Sequence, residues 1–274
     1  MNIEVAEITL FWLAVILYAA ATVLAAIGVV WTKQNLQRTG NIIFVLALVP
    51  HGIAIILRWL ATGHGPYLQT YEIVSSDAWV GAALFMLLLW RLPRLMPAAL
   101  FVYPLTLVFS GWALLSSREI SQIPATFQTI WLIIHIIFAK FAYGSALLSS
   151  ALAAIYLLKT GSTKSGWLQR VPEPNWLDYY SYRLTAFAFL MVGVMIVAGA
   201  IWANQAWGYY WAWDPIETWS LISWLLYGLY LHYRFTGGKP RRAALLNLLS
   251  LLILLITLFA VPYLYDTVHS EYMS

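Results

Sequence analysis

The sequence predicts an all-α integral membrane protein with about eight transmembrane helices. Hydrophobic residues make up 62% of the 274 residues and charged residues only 9%, whereas roughly a quarter of a soluble domain is charged. Aromatic residues reach 16%, and Trp and Tyr concentrate where a membrane meets water. The third observation is a series of long apolar runs, since about 20 apolar residues in a helix cross a bilayer core of about 30 Å.

Each apolar run is interpreted as one membrane-spanning helix. The first follows a stretch with Glu4 and Glu7 but no Lys or Arg, so it lacks the basic start of a cleaved signal peptide. The third run is the shortest. The eight runs cover about 8–31, 42–61, 77–90, 96–115, 127–158, 184–203, 215–234 and 243–264. No fixed-period repeat or low-complexity linker divides them, so we expect a single polytopic membrane domain over 1–274.

The basic residues predict which side of the membrane each connection faces. Connections on the cytoplasmic side carry an excess of Lys and Arg. Such residues cluster after the first, third, fifth and seventh runs, at Lys33, Arg38, Arg91, Arg94, Lys159, Lys164, Arg170, Arg183, Arg234, Lys239, Arg241 and Arg242. We therefore expect both termini and the connection before the seventh helix on the outer side. The longest polar piece, 159–183, is predicted to be an inner loop.

Composition also excludes some classes of function. The formal net charge is only +4, and its Lys and Arg lie in short segments between apolar runs, which is not the pattern of a nucleic-acid-binding protein. The chain contains no cysteine, which excludes a disulfide framework and a thiolate metal site.

The segment 207–219, WGYYWAWDPIETW, gathers four Trp and two Tyr in one connection. An interfacial belt would scatter such residues over many helix ends, so we expect a local aromatic shelf that binds a planar ring or a cation. Asp214, Pro215 and Glu217 have the marks of a helix start, at the N-cap, N1 and N3 positions. An alternative is that the two carboxylates serve only to begin the seventh helix.

Two of the five histidines are expected on the outer side, next to this segment. His135 precedes Lys159 by 24 residues, about 36 Å of helix, which exceeds the bilayer core. His269 follows the last run. Two imidazoles above an aromatic shelf suit a six-coordinate haem whose iron they hold axially. Zinc is an alternative, although a closed zinc site needs four ligands.

The other three histidines have less specific positions. His232 lies about 26 Å down the seventh helix, towards the cytoplasm, where an ionisable group predicts a functional role; an interfacial residue beside Arg234 is the alternative. His51 follows a proline whose kink frees a carbonyl that the imidazole can bond. His64, in a Gly/Pro-rich loop, is interpreted as a ligand, a support for the outer site or a loop residue.

The run 202–234 resembles the WWD signature of haem-handling proteins, in the form found in the CcsA (ResC) family of system II cytochrome c biogenesis. The family pattern is WGxYWxWDPxETW followed by YLHxR. The segment ILRWLATGHGPYLQTYE resembles that family's RW…SGHxP…NxYES segment, with Gln69 and Ile73 as departures, and Ile216 stands where the family often has Lys. The matching signature positions are Trp207, Gly208, Tyr210, Trp211, Trp213, Asp214, Pro215, Glu217 and Trp219.

This resemblance implies that haem b crosses the membrane as cargo and is presented on the outer face against the external segment 204–219. His135 and His269 match the external ligands of the haem iron, and His232 matches the transmembrane ligand. The opposite transmembrane ligand would come from a CcsB (ResB)-type partner, with which the chain would form a cytochrome c synthase acting on an apocytochrome c CxxCH segment. The expected haem-binding residues are His135, His269, His232, Trp207, Gly208, Tyr210, Trp211, Trp213, Asp214 and Trp219.

His51, His64 and Glu217 are candidates for supporting roles, and no catalytic residue is assigned. A bacterial plasma (inner) membrane and a thylakoid membrane both fit the sequence. The alternatives are a CcmC-type haem exporter that passes haem to a chaperone, a HemX-type regulatory membrane protein, and a transporter with an aromatic cage for a cation. The last would favour carboxylates in mid-span, of which the runs carry almost none.

Overall fold

A computed structural model describes residues 2–120, 123–161 and 166–265, except for the side chain of Arg170. Throughout these ranges the chain forms helices and connections, with no strand, which confirms the predicted all-α class. Short 3-10 helices cover Pro93–Ala98, Ala125–Phe127 and Leu168–Arg170. The α-helices are α1 (Ile3–Val30), α2 (Gln34–Thr62), α3 (Thr70–Arg91), α4 (Ala99–Leu115), α5 (Ile130–Gly161), α6 (Pro174–Trp207), α7 (Pro215–Phe235), α8 (Pro240–Phe259) and α9 (Val261–Leu264).

The eight predicted runs correspond to α1–α8, the last of which α9 extends. Within the described ranges, seven helices are long and apolar enough to cross a membrane, so the chain is a helical integral membrane protein. Helix α7 is not among the seven, because its Trp, Tyr and Ser residues lower its apolar character. The orientation of the termini remains a prediction.

Two helices begin earlier than the sequence predicts. Helix α3 starts at Thr70 rather than near 77, because the polar residues of its first turns are buried and hydrogen-bonded inside the protein. Helix α6 starts at Pro174 rather than near 184, since a proline at the first helical position is preorganised for helix. The inner loop predicted over 159–183 is therefore wrong for 174–183, and also for 159–161, which belong to the end of α5.

The chain folds as two compact units. Unit 1 comprises the described residues of 1–122 and 158–172, and unit 2 those of 123–157 and 173–274. The division means that the residues of each unit contact one another more than they contact the rest of the chain. The single polytopic membrane domain stays a prediction.

Unit 1 contains α1–α4 packed around an aromatic core. The rings of Phe44 and Tyr103 stack with centroids 3.7 Å apart, and Tyr18 lies 5.0 Å from Phe44. Helices α1 and α2 approach closely where Gly40 faces Ala25: a Cβ on Gly40 would lie 2.9 Å from the Ala25 backbone nitrogen. Small residues thus allow this helix pair to pack backbone against backbone, as is common in membranes.

Unit 2 contains α6–α9 and most of α5. Its buried apolar core is formed by Ala142, Ala146, Ala188, Val192, Met195, Tyr227 and Leu254. Beside this core, the buried Asn247 side chain donates to Ser149 Oγ and Thr185 Oγ1, both at 2.6 Å. This polar contact fixes the register of α5, α6 and α8, because a hydrogen bond lost in hydrocarbon has no water to replace it.

Candidate functional site

An open pocket lies in unit 2 where α5 and α6 meet the start of α7, with about 430 Å³ of space once the open solvent at its mouth is included. Its walls are mainly apolar, with a histidine, three tryptophans and one carboxylate among them. Pockets that bind organic cofactors have this composition, an apolar wall with a few oriented polar groups. The lining residues are His135, Met195, Ile196, Gly199, Ala200, Trp202, Ala203, Trp207, Trp211, Ile216, Glu217 and Ser220.

His135 enters this pocket from the first two turns of α5. Its Nδ1 lies 2.8 Å from the Met195 carbonyl oxygen of α6. A carbonyl can only accept, so Nδ1 carries a proton, and in the neutral imidazole the lone pair then lies on Nε2. Histidines that bind metals commonly hold their second ring N–H in this way.

Gly199 allows the imidazole to approach α6 so closely. A Cβ at this position would lie 2.7 Å from His135 Nδ1 and 3.1 Å from Cε1, and real Cβ atoms essentially never make contacts under 3.0 Å. Any larger residue at 199 would therefore push the imidazole out of its present position.

Tryptophan rings continue the wall beyond His135. The Trp202 ring lies 6.4 Å from the imidazole, with an interplanar angle of 37°, and 5.0 Å from Trp207. Its indole N–H donates to the Thr126 carbonyl at 2.8 Å, so this buried polar group is satisfied. The neighbouring Gly199, Ala200 and Ala203 have little or no side chain, which leaves room in front of the rings.

The connection from α6 to α7 carries the remaining signature residues. Helix α6 ends at Gly208, which adopts φ +85°, a left-handed conformation that glycine accepts without a steric penalty. Trp213 also has positive φ, at 61°, which costs a residue with a Cβ about 1–2 kcal/mol. The structure therefore holds Trp213 in an unfavourable conformation, which is a common property of functional segments.

Two carboxylates hold this connection in place. Glu217 Oε2 accepts from the backbone N–H of Ala212 at 2.9 Å and of Asp214 at 3.2 Å. Asp214 Oδ1 accepts from the Ile216 N–H at 2.9 Å. Asp214 is the N-cap of α7, Pro215 is at its first position, and Glu217 completes a capping box. The predicted helix start is confirmed, and both carboxylates bond backbone groups.

The other predicted residues of this segment lie outside the pocket wall. Tyr210 and Trp213 are exposed to 59% and 68%, and the Trp211 and Trp213 rings meet edge to face at 5.7 Å. Trp219 is half-buried in the second turn of α7. The structure thus gathers His135, Trp207, Trp211 and Glu217 around one pocket, with Gly208 and Asp214 shaping the connection beside it.

His232 lies away from this pocket. It is exposed in the last turn of α7, about 22 Å along the helix from Glu217. Nearby, Arg234 Nη2 and Asp178 Oδ2 are 2.5 Å apart, which connects the end of α7 to the start of α6. His232 therefore belongs to a different part of unit 2 from His135. His269 lies outside the described residues.

The two remaining histidines are buried in unit 1 and hydrogen-bonded there. His51 Nδ1 is 3.1 Å from the Tyr18 hydroxyl and Nε2 is 3.0 Å from Ser75 Oγ. The expected bond to a carbonyl freed by the proline kink is therefore wrong, because two side chains occupy both ring nitrogens. His64 Nδ1 is 2.8 Å from the Gly65 carbonyl oxygen and 3.7 Å from Glu72 Oε2.

A family model described as cytochrome C assembly protein matches residues 5–269. The chain belongs to the cytochrome c assembly protein family.

Individual members of the family align with nearly the whole chain. The cytochrome c biogenesis protein CcsA of Parasynechococcus marenigrum (strain WH8102) is 32% identical, covering 88% of this chain and 89% of the relative. The CcsA of Synechococcus sp. (strain CC9311) is 30% identical, over 93% of this chain and 95% of its own length. The CcsA of Trieres chinensis is 27% identical, over 88% of both chains.

A solved structure shares the fold. It is named cytochrome c heme lyase CcmF and superposes with a TM-score of 0.73 at 17% identity. The match covers 94% of this chain but 47% of that protein, so the chain spans about half the length of this structural relative.

In this cytochrome c assembly protein, three further residues lie at the site that the sequence pattern does not single out. Met195, Gly199 and Trp202 contact or face His135, yet all three lie in the apolar helix α6, ahead of the matched signature positions that begin at Trp207. One feature of the sequence points to Trp202: it opens the run WANQAW, which leads directly into the Trp-rich segment. Nothing in the sequence pattern indicates that the Met195 carbonyl contacts His135, or that Gly199 must lack a side chain there.

Proposed function

We propose that this cytochrome c assembly protein holds haem b as cargo at the unit 2 pocket and presents it to apocytochrome c for covalent attachment. The observation that carries the proposal is His135, whose Nδ1 is 2.8 Å from a backbone carbonyl oxygen in a pocket walled by tryptophan. The relatives named as cytochrome c biogenesis proteins support it.

The donor set of the pocket fits haem. With Nδ1 as the donor, the neutral form of His135 has its lone pair on Nε2, which can bind iron as axial histidines do. His269 is the proposed second axial ligand. Iron with two imidazole ligands has both axial positions filled, which keeps other ligands away and fixes the orientation of the ring.

The aromatic residues would hold the flat ring. Trp207 and Trp211 line the pocket directly, and planar rings prefer offset or edge contacts at 4.5–7 Å with such side chains. Exposed Tyr210 and Trp213 extend the aromatic surface outward, and Trp219 and Gly208 complete the segment. Asp214 and Glu217 keep the shelf folded through backbone hydrogen bonds and do not act as general acids.

When bound, haem supplies the vinyl groups that form thioethers with the two thiols of a CxxCH segment. The chain's part is binding, orientation and burial rather than organic catalysis. Because it contains no cysteine, no thiol of its own competes with those of the apocytochrome.

We also propose a transit site at His232, with the opposite ligand from a CcsB (ResB)-type membrane partner. The exposure of His232 on the last turn of α7 supports a shared site, because the imidazole remains accessible to a second chain. In this proposal the pair forms a cytochrome c synthase in the plasma or thylakoid membrane, with the unit 2 pocket on the outer face.

Covalent attachment in cells tests the proposal. The chain and a CcsB-type partner are expressed in bacteria that lack their own cytochrome c assembly proteins, together with a CxxCH reporter. We expect haem covalently bound to the reporter with the wild type, and strongly reduced attachment with Trp211→Ala. Trp31→Ala is the matched control, since Trp31 is 64% exposed and outside the signature. Equal attachment by both variants would contradict the role of the pocket.

A further inference from the structure

A second polar pocket lies in unit 1, where α1 begins. It is partly open to the surroundings and offers about 550 Å³ of space, open solvent at its mouth included. Four charged residues and two aliphatic ones line it: Glu4, Val5, Glu7, Ile8, Arg58 and Arg118. The proposed function uses none of these residues.

Glu7 is the deepest charged group of this pocket. It is 2% exposed, and its Oε1 accepts from the Tyr71 hydroxyl at 2.5 Å. Its second oxygen has no hydrogen-bond partner anywhere in the part of the chain that the structure describes. A buried carboxylate is costly unless it is paired and hydrogen-bonded. A cationic group with N–H donors would therefore stabilise the Glu7 carboxylate.

Arg58 does not fulfil that need, because its guanidinium is already occupied. It donates from Nε to Glu72 Oε1 at 3.0 Å, and its Nη atoms donate to Gln69 and to the carbonyls of Arg118 and Glu119 at 2.9–3.2 Å. These bonds fix the backbone of the connection after α4. They thereby hold Arg118 at the mouth of the pocket.

Three charges of the pocket thus remain without an ion-pair partner among the described residues. They are the carboxylates of Glu4 and Glu7 and the guanidinium of Arg118. A ligand that pairs with both signs of charge carries an ammonium group with N–H donors and an anionic group close to it. We propose that this pocket binds phosphoethanolamine, the headgroup of an aminophospholipid, with its ammonium at Glu7 and its phosphate at Arg118.

Val5, which lines the pocket, begins an exposed apolar stripe of α1 that suits the acyl chains of such a lipid. Val5, Trp12 and Ile16 lie at positions that share one face of α1 and are 51%, 52% and 61% exposed. Helix α1 is apolar and long enough to cross a membrane, so this stripe is in hydrocarbon. A lysine or arginine side chain of a protein would match Glu7 but would leave Arg118 without an anion, so the lipid matches the pocket better.

Lipid retention measured by native mass spectrometry tests the site. The full chain is exchanged into micelles with equal amounts of phosphatidylethanolamine, phosphatidylcholine and phosphatidylglycerol of identical acyl chains. Choline keeps the positive charge but has no N–H to donate, and glycerol has no cation. We expect phosphatidylethanolamine to be retained about tenfold over either of the others, since charge-assisted hydrogen bonds decide the difference.

Three variants make the result specific to the pocket. Glu7→Gln should abolish the preference, although its amide oxygen still accepts from the Tyr71 hydroxyl. Arg118→Gln should abolish it too, and because Arg118 is exposed the change leaves the core intact. Glu119→Gln, an exposed neighbour outside the pocket, should preserve it. Equal retention of the three lipids by the wild type, or a preference that survives Glu7→Gln, would overturn the proposal. So would displacement of the bound lipid from the wild type by N-acetyl-lysine amide but not by free phosphoethanolamine.

Discussion

At the scale of single residues, the position of His135 depends on an absent side chain. Gly199 lets the imidazole lie against α6, where its Nδ1 is 2.8 Å from the Met195 carbonyl oxygen. That contact sets the tautomer and therefore which nitrogen can bind a metal. The geometry makes Gly199 a positioning residue for the proposed axial ligand.

Changing Gly199→Ala should weaken haem binding without removing any proposed ligand. The new Cβ would lie 2.7 Å from Nδ1, so the imidazole must move and lose its carbonyl partner. Loss of such a supporting bond typically lowers metal affinity about 10–100-fold. The measurement is haem stoichiometry by titration of the purified protein, together with the electron paramagnetic resonance spectrum of the ferric form.

The control for this change is Gly111→Ala, where a Cβ would meet nothing within 4 Å. That variant should bind haem like the wild type. If Gly199→Ala also bound haem normally and its resonance spectrum were unchanged, His135 would not be held in the way the structure indicates.

Residue positions and residue partners differ in how well the sequence predicts them. Helix length alone placed His135 near one end of its helix, and α5 indeed begins at Ile130. The Met195 carbonyl was beyond prediction, because it depends on how α6 rotates against α5. His51 shows the same limit: the proline beside it predicted a carbonyl partner, while tertiary packing provided Tyr18 and Ser75.

At the scale of secondary-structure elements, the start of α7 organises the Trp-rich connection. Asp214→Ala should lower stability by about 0.5–2 kcal/mol, the usual cost of a lost N-cap, whereas Asp214→Asn should be nearly neutral because Asn caps equally well. Thermal unfolding in detergent, followed by tryptophan fluorescence, measures the difference. Asp214→Asn should also keep its full haem loading and product yield. Retained haem with lost proton-dependent turnover would instead give Asp214 a chemical role.

The connections after α2 and α4 in unit 1 depend on the buried pair of Arg58 and Glu72. The two side chains are 4% and 1% exposed and 3.0 Å apart. Glu72→Gln should destabilise the protein by about 3–5 kcal/mol, because it leaves the Arg58 charge buried without its partner. Comparison with Glu119→Gln in the same unfolding assay controls for the loss of one negative charge. Equal midpoints for the two variants would contradict the pair's structural importance.

These elements show where the apolar pattern fails to predict helix limits. It located the middle of each long helix, since membrane-facing positions must be apolar. It missed the first turns of α3, because Glu72 and Ser75 are polar yet buried against Arg58 and His51. The helix start at Asp214 was predictable because capping depends on residues adjacent in sequence.

At the scale of the whole molecule, labelling of single introduced cysteines tests the predicted orientation of the chain in the membrane. The chain contains no cysteine of its own, so each label reports one position. Ala212→Cys and Thr236→Cys place single thiols at exposed sites before and after α7. In intact bacterial spheroplasts, a membrane-impermeant maleimide should label Cys introduced at 212, and should label the one at 236 only after permeabilisation. Labelling of both, or the reverse pattern, would contradict an outer Trp-rich connection.

The absorption spectrum of the purified protein tests the central claim most directly. The wild type, made with its partner and reduced, should show low-spin b-type haem. His135→Gly and His269→Gly should each weaken or shift these bands, and added imidazole should restore them by replacing the lost ligand. A wild type that retains no haem, or bands that neither variant changes, would contradict haem ligation at the unit 2 pocket.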